Sequence, residues 1–115
     1  MKDFHKESLE RLRQIEKAIN AIKQYTEREN SDSFCNTPML HDAVLLQFVI
    51  IGEAIVNVES QLLIKYKYPW YKVRSFRNMI AHQYFDIKIP AVWLIIERDL
   101  PALDEVITKM LENEF

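Results

Sequence analysis

Residues Ala43–Val58 read AVLLQFVIIGEAIVNV, broken only by Gln47, Gly52, Glu53 and Asn57. A helix built from this stretch is apolar nearly all round, and such a helix is buried on most of its sides. The pattern predicts a helix from Met39 to about Tyr66. No uninterrupted apolar run reaches the ~18 residues that a membrane span requires, so no membrane partner is expected. A short domain with few helices can hardly enclose one helix completely. The simplest cover for the remaining side is a second copy of the chain, and a homodimer through the second and third helices is expected.

The sequence on either side supplies the layers around that helix. From Asp3 to Glu29, Phe4, Leu9, Leu12, Ile15, Ile19, Ile22 and Tyr25 recur at three and four residues, the helical period, with charges on the other face. Asn30–Pro38 (NSDSFCNTP) reads as a loop rich in Ser, Asn and Asp. After Pro69 a third helix runs from Trp70 to about His82. Residues Ile87–Ile89 form a short turn, and Pro90 suits the first turn of a fourth helix, where its missing N–H costs nothing. Val92, Trp93, Ile96, Leu100, Leu103, Ile107 and Leu111 give that helix its apolar stripe, and Pro101 must kink it or split it. The fold class is therefore all-α, an antiparallel bundle of four to five helices, with residues 1–115 as a single domain. One Gly and four Pro in 115 residues, with 49% hydrophobic and 28% charged, agree with long helices in a globular protein. The lone Cys35 excludes an internal disulfide and fits a reducing compartment. The N-terminal MKDFHKESLERLRQ lacks an apolar signal core, so a cytoplasmic location is expected.

Glu53 is the odd residue in the apolar helix. A carboxylate among Val, Ile and Ala is costly unless paired, and Arg77 or Arg74 is the expected partner. If Glu53 is paired in this way, Glu53→Ala is expected to cost about 3–5 kcal/mol, the usual cost of leaving the partner charge buried and alone. Asn57, four residues on, extends the same polar stripe. The reading stays open between a structural ion pair and a carboxylate that also orients an Arg for phosphate.

The residues from Gln61 to Phe85 hold Lys65, Lys67, Lys72, Arg74 and Arg77 and no acid, a local charge of +5, while the rest of the chain sums to −7. A basic island in an acidic chain points to a local anion site, and phosphate is the usual anion. Lys72 and Arg74 are the candidate RNA-phosphate contacts. Arg77 and His82 lie five apart, about 7.5 Å along a helix axis and about 140° around it, so they share a site only if the helix ends near His82. The following QYFDI reads as such an exit. His is suited to proton transfer near neutral pH, and Arg to holding phosphate and stabilising added charge. Together they suit metal-free RNA cleavage by the neighbouring 2′-OH. His5, His41 and His82 are scattered, with no HxxxH, HExxH or CxxC spacing, so neither a metal nor any other cofactor is expected. The competing reading makes His82 a helix cap and Tyr84 a packed ring hydrogen-bonded to a carbonyl.

The string RNMIAHQY resembles the RNxxxHxY form of the RxxxxH motif of HEPN ribonucleases, specifically the HepT-like toxins. IGEA at 51–54, Pro69-Trp70, YFDI, and VW followed by Leu100-Pro101 fall where that family has them, so the resemblance spans roughly residues 40–105. Ser75-Phe76 departs from the family, whose members often carry Gly before a hydrophobic residue there. The resemblance implies a dimeric helical bundle with two RxxxxH motifs meeting across the interface. It implies a metal-independent endoribonuclease toxin encoded beside an MntA-like nucleotidyltransferase antitoxin. On it, Arg77 and His82 are catalytic, Asn78 supports them, and Tyr84 matches a tyrosine that the antitoxin adenylylates in some members. Two functions are carried forward: the ribonuclease toxin, and a non-catalytic helical module that binds a nucleotidyltransferase or a nucleotide.

Overall fold

Seven α-helices can be followed in the computed structural model, which describes residues 3–115. Helix α1 (Phe4–Thr26) begins where the Asp3 carboxylate accepts the Lys6 N–H at 3.0 Å, an N-cap that satisfies one orphan donor. Its stripe is Leu12, Ile15, Ile19 and Ile22, all fully buried, whereas Phe4 and Tyr25 at its ends stay exposed. Helix α3 (Pro38–Ile55) packs against α1 on one side and α5 (Trp70–His82) on the other. Helix α7 (Leu100–Glu114) runs antiparallel to α1, since His5 meets Phe115 (ring centroids 4.5 Å apart) and Lys23 pairs with Asp104. No strand occurs among the described residues.

The helix expected from Met39 to Tyr66 is two helices. Helix α3 stops at Ile55, tight backbone bonds turn the chain at Asn57 and Val58, and α4 (Ser60–Lys65) follows. The break is a tertiary effect: the Glu59 N–H donates to Ser8 Oγ of α1 at 3.0 Å, and Ser8 is fully buried. The Asn30–Pro38 loop likewise contains a short helix, α2 (Ser31–Cys35). Asn30 and Ser33 cap each other reciprocally, at 2.9 Å in both directions. That turn drives Phe34 into the core against Trp93, with ring centroids 5.3 Å apart.

The last helix is split as Pro101 demands. Helix α6 (Ile89–Leu94) passes through a π-helical turn (Ile95–Asp99) into α7, and the Leu100 N–H reaches back five residues to the Ile95 carbonyl. Placing the wide turn ahead of Pro101 lets the chain continue without the bond that the imino acid cannot donate.

Helix α3 is long and apolar enough by composition to cross a membrane, with mean hydropathy 1.4 over its 18 residues. Here Val44, Leu45, Phe48, Ile51, Ala54 and Ile55 form the centre of the core. Its outer face is different. Met39, Asp42, Leu46, Val49, Glu53 and Val56 recur at alternating three and four residues, the spacing of a coiled-coil seam. Met39 is 77%, Leu46 57% and Val56 60% exposed, so the single chain leaves this seam uncovered.

Candidate active site

Gly52, the chain's one glycine, sets the geometry of the site. A Cβ added there would lie 2.3 Å from Arg77 Cβ and 2.7 Å from its Cγ, far inside van der Waals contact. Helices α3 and α5 therefore cross with the Arg77 stem seated on bare backbone. Phe48 and Phe76 stack edge-on nearby, with centroids 5.0 Å apart. With Gly52 against Arg77 and Asp42 bonded to Tyr84, just past the end of α5, the two helices run antiparallel.

The Arg77 guanidinium is held at three of its nitrogens. Nε donates to Glu53 Oε1 at 2.7 Å, Nη2 donates to the same oxygen, and Nη1 donates to Asn78 Oδ1 at 2.8 Å. Of five N–H donors, one on each terminal nitrogen stays free, and a guanidinium can use such donors to hold a phosphate. Asn57 Nδ2 donates to the Glu53 carbonyl at 3.2 Å, one helical turn away. The expected pairing of Glu53 with Arg77 is thus present, but not the expected burial: the Glu53 side chain is 53% exposed and that of Arg77 30%. Glu53 lies on the outward seam of α3, so its apolar neighbours in sequence point elsewhere. A pair this exposed contributes about 0.2–1 kcal/mol. Urea unfolding of Glu53→Ala is expected to show a loss within that range. A loss of about 3 kcal/mol or more would restore the buried-charge reading.

Helix α5 ends at His82, as the sequence predicts. Gln83 leaves helical geometry (φ −135°, ψ 37°), its N–H closing on the Met79 carbonyl at 2.7 Å. The His82 ring is exposed and has no hydrogen-bond partner among the described residues, so it does not cap the helix. Arg74, Asn78 and His82, spaced by four, share the open face of α5 beside Arg77. Lys72 goes elsewhere: with Val73, Phe76, Met79, Ile95 and Leu103 it lines an apolar groove of about 530 Å³. Arg77, His82 and Tyr84 are not part of that groove.

The basic island is weaker in three dimensions than in sequence. Glu114 receives a 2.9 Å bond from Lys65 Nζ and a 2.8 Å bond from the Tyr66 hydroxyl. The Lys65 bond, then that of Tyr66, holds the Glu114 carboxyl below the usual carboxylate range. With Glu53 on Arg77, acids from distant helices answer two of the five cations. Lys67, Lys72 and Arg74 stay exposed with no carboxylate partner among the described residues.

Tyr84 opens a 3₁₀ turn (Tyr84–Asp86), and its hydroxyl donates to Asp42 Oδ1 on α3. That hydrogen bond, followed by burial and the Asp42 charge, pushes the phenol pKa up. The residue is still 44% exposed, with its ring edge-on to Phe85. Sequence reasoning missed Asp42. The available signal was its spacing of eleven from Glu53, three turns and about 16.5 Å along one face of a helix.

A family model described as "Ribonuclease HepT-like" matches residues 15–110. Among curated proteins, the chain is 33% identical over 103 residues to the "Gamma-glutamylcyclotransferase and putative RNase MJ0434" of Methanocaldococcus jannaschii, spanning 89% of this chain but 46% of that protein. It is 29% identical to the "Probable ribonuclease HepT" of Thermococcus cleftensis, over 90% of this chain and 92% of the relative. It is also 29% identical to the "Putative RNase TTE0752" of Caldanaerobacter subterraneus, over 72% and 75%. No solved structure is matched.

Proposed function

As the chain belongs to the HepT-like family of HEPN-type ribonucleases, we propose that it is a metal-independent endoribonuclease whose catalytic groups are Arg77 and His82. The observation that carries this reading is Arg77, its stem seated on Gly52 and its guanidinium oriented by Glu53 and Asn78 with two N–H donors still free, on the same helix whose end presents an unpartnered His82.

In the reaction, the ribose 2′-oxygen attacks the adjacent phosphorus and the bond to the 5′-oxygen breaks. The 2′-OH proton passes to one imidazole, and the leaving 5′-oxygen takes a proton from another. Arg77 stabilises the charge that builds on the phosphoryl oxygens. Arg74 on the same face holds a neighbouring phosphate, and Lys72, turned toward the apolar groove, reaches only RNA that wraps around α5. Each chain offers one such imidazole, so two chains supply the acid and the base. The uncovered α3 seam supports a homodimer, and joining two chains there would enclose the open face around His82.

The biological role that fits is a cytoplasmic toxin neutralised by an MntA-like nucleotidyltransferase antitoxin. Tyr84 is the proposed AMP acceptor. Its oxygen attacks the α-phosphorus of ATP, pyrophosphate leaves, and the phenolic proton is lost to a base. The attached phosphate then competes with RNA for Arg77 and Arg74, and the adenosine obstructs the site.

The test is cleavage of end-labelled RNA by purified protein in EDTA. Fragments ending in 2′,3′-cyclic phosphate are expected. Cleavage only on addition of magnesium would overturn the mechanism, and intact RNA would favour the binding module.

A further inference from the structure

The 3₁₀ turn after His82 is held by very little. None of Tyr84, Phe85 and Asp86 is buried, and Phe85 is 97% exposed. The turn's backbone bonds are local: Asp86 N–H to the Gln83 carbonyl at 2.9 Å, and Ile87 N–H to the Tyr84 carbonyl at 3.4 Å. Among the described residues, the one side-chain hydrogen bond that ties it to another element is the Tyr84 hydroxyl on Asp42 of α3. His82 stands between this tie and Ile80, the last buried residue of α5. Its own ring has no partner to fix it.

We infer that Asp42 is a positioning residue for the ribonuclease, acting through the Tyr84 hydroxyl to hold the end of α5 so that the His82 imidazole meets the RNA bound at Arg77. This rests on the catalytic reading of His82. Asp42 and Glu53 then play parallel parts three turns apart on the same face of α3: Glu53 orients Arg77 directly, and Asp42 fixes the chain that follows His82. The inference also gives modification of Tyr84 a second mode of action. A group transferred to the phenolic oxygen removes the O–H donor, and a phosphate there sets a negative charge against the Asp42 carboxylate. The tie cannot form, and His82 loses its support as well as its access.

The test uses Asp42→Ala, Asp42→Asn, Tyr84→Phe and the double variant Asp42→Ala/Tyr84→Phe. Asp42→Ala and Tyr84→Phe are each expected to lower kcat roughly tenfold to a hundredfold, the scale of a misplaced catalytic group, with KM for RNA little changed. The double variant should be no worse than either single change, because both remove one bond. Asp42→Asn, whose amide oxygen still accepts from the phenol, should recover most of the rate. Tyr84→Phe leaves α3 untouched, so agreement between the two single variants excludes an effect on the seam. Full kcat in Asp42→Ala, or additive losses in the double variant, would overturn the inference. Hydrogen exchange of the amides from 83 to 87 judges the tie separately from catalysis. Faster exchange in both single variants at an unchanged melting temperature supports it, and unchanged exchange overturns it. If the wild-type protein cleaves no RNA, the ribonuclease reading falls, and the exchange result still decides whether Asp42 holds the turn.

Discussion

His82→Ala is expected to reduce RNA cleavage by roughly 10³-fold, within the 10²–10⁴ range that a positioned acid or base contributes. Arg77→Ala is expected to reduce it by roughly 10²–10³-fold, the usual loss when one donor to a developing oxyanion is removed. Neither change should unfold the chain. The His82 ring is exposed and bonded to nothing among the described residues, so its removal leaves no orphaned group. Arg77 loses an exposed ion pair, which costs little, and the space above Gly52 opens slightly. Arg77→Lys should fail almost as badly as Arg77→Ala. An ammonium is a point charge and cannot contact Glu53, Asn78 and a phosphate with one planar fork. The measurements are single-turnover cleavage of a labelled RNA in EDTA, and circular dichroism to show that helix content is kept. Wild-type rates in both alanine variants would remove Arg77 and His82 from the chemistry.

What could be read from the sequence follows from where each constraint originates. Helix α5 was legible, its end to within about a residue, because its limits are local: Pro69 bars a helix before Trp70, and the QYFD exit closes it after His82. The partner of Glu53 was narrowed to Arg77 or Arg74, because the third helix holds the nearest cluster of cations. Its exposure was not, since exposure depends on which face of α3 the bundle covers. The break after Ile55 was not legible either. It depends on Ser8, more than fifty residues away in sequence, offering a hydroxyl to the Glu59 N–H. The capping pair Asn30 and Ser33 was local and could have been read, but a polar composition suggested a loop. Charge counting along the chain overstated the basic island because Glu114 and Glu53 arrive from other helices. Asp42 was hidden for a similar reason: nothing near it in sequence shows that Tyr84 will fold back onto it.

Leu46→Glu should convert the protein to a monomer and bring cleavage down to the level of His82→Ala. Leu46 and Val49 are the middle apolar positions of the outward seam, with Met39 and Val56 at its ends. An apolar side chain 57% exposed in the middle of such a seam contributes little to the stability of the single chain. Replacing it should therefore leave the fold of each chain intact. In a dimer packed on this seam the same side chain becomes a central knob, and a carboxylate there must lose its water without a partner. Asp42 and Glu53 already occupy two of the six seam positions, so a third acid adds to an existing negative stripe. The catalytic consequence is as large as the structural one because each chain brings a single suitable imidazole. A monomer that can take the 2′-OH proton but cannot return one to the 5′-oxygen loses half of the proton transfers. Sedimentation at micromolar concentration should give about twice the chain mass for wild type and the chain mass for Leu46→Glu. Cleavage assayed across a dilution series should fall with the dimer fraction in wild type and stay at the floor in the variant. A Leu46→Glu protein that is monomeric and fully active would show that one chain is a complete enzyme, and a wild-type monomer would leave the seam for another partner.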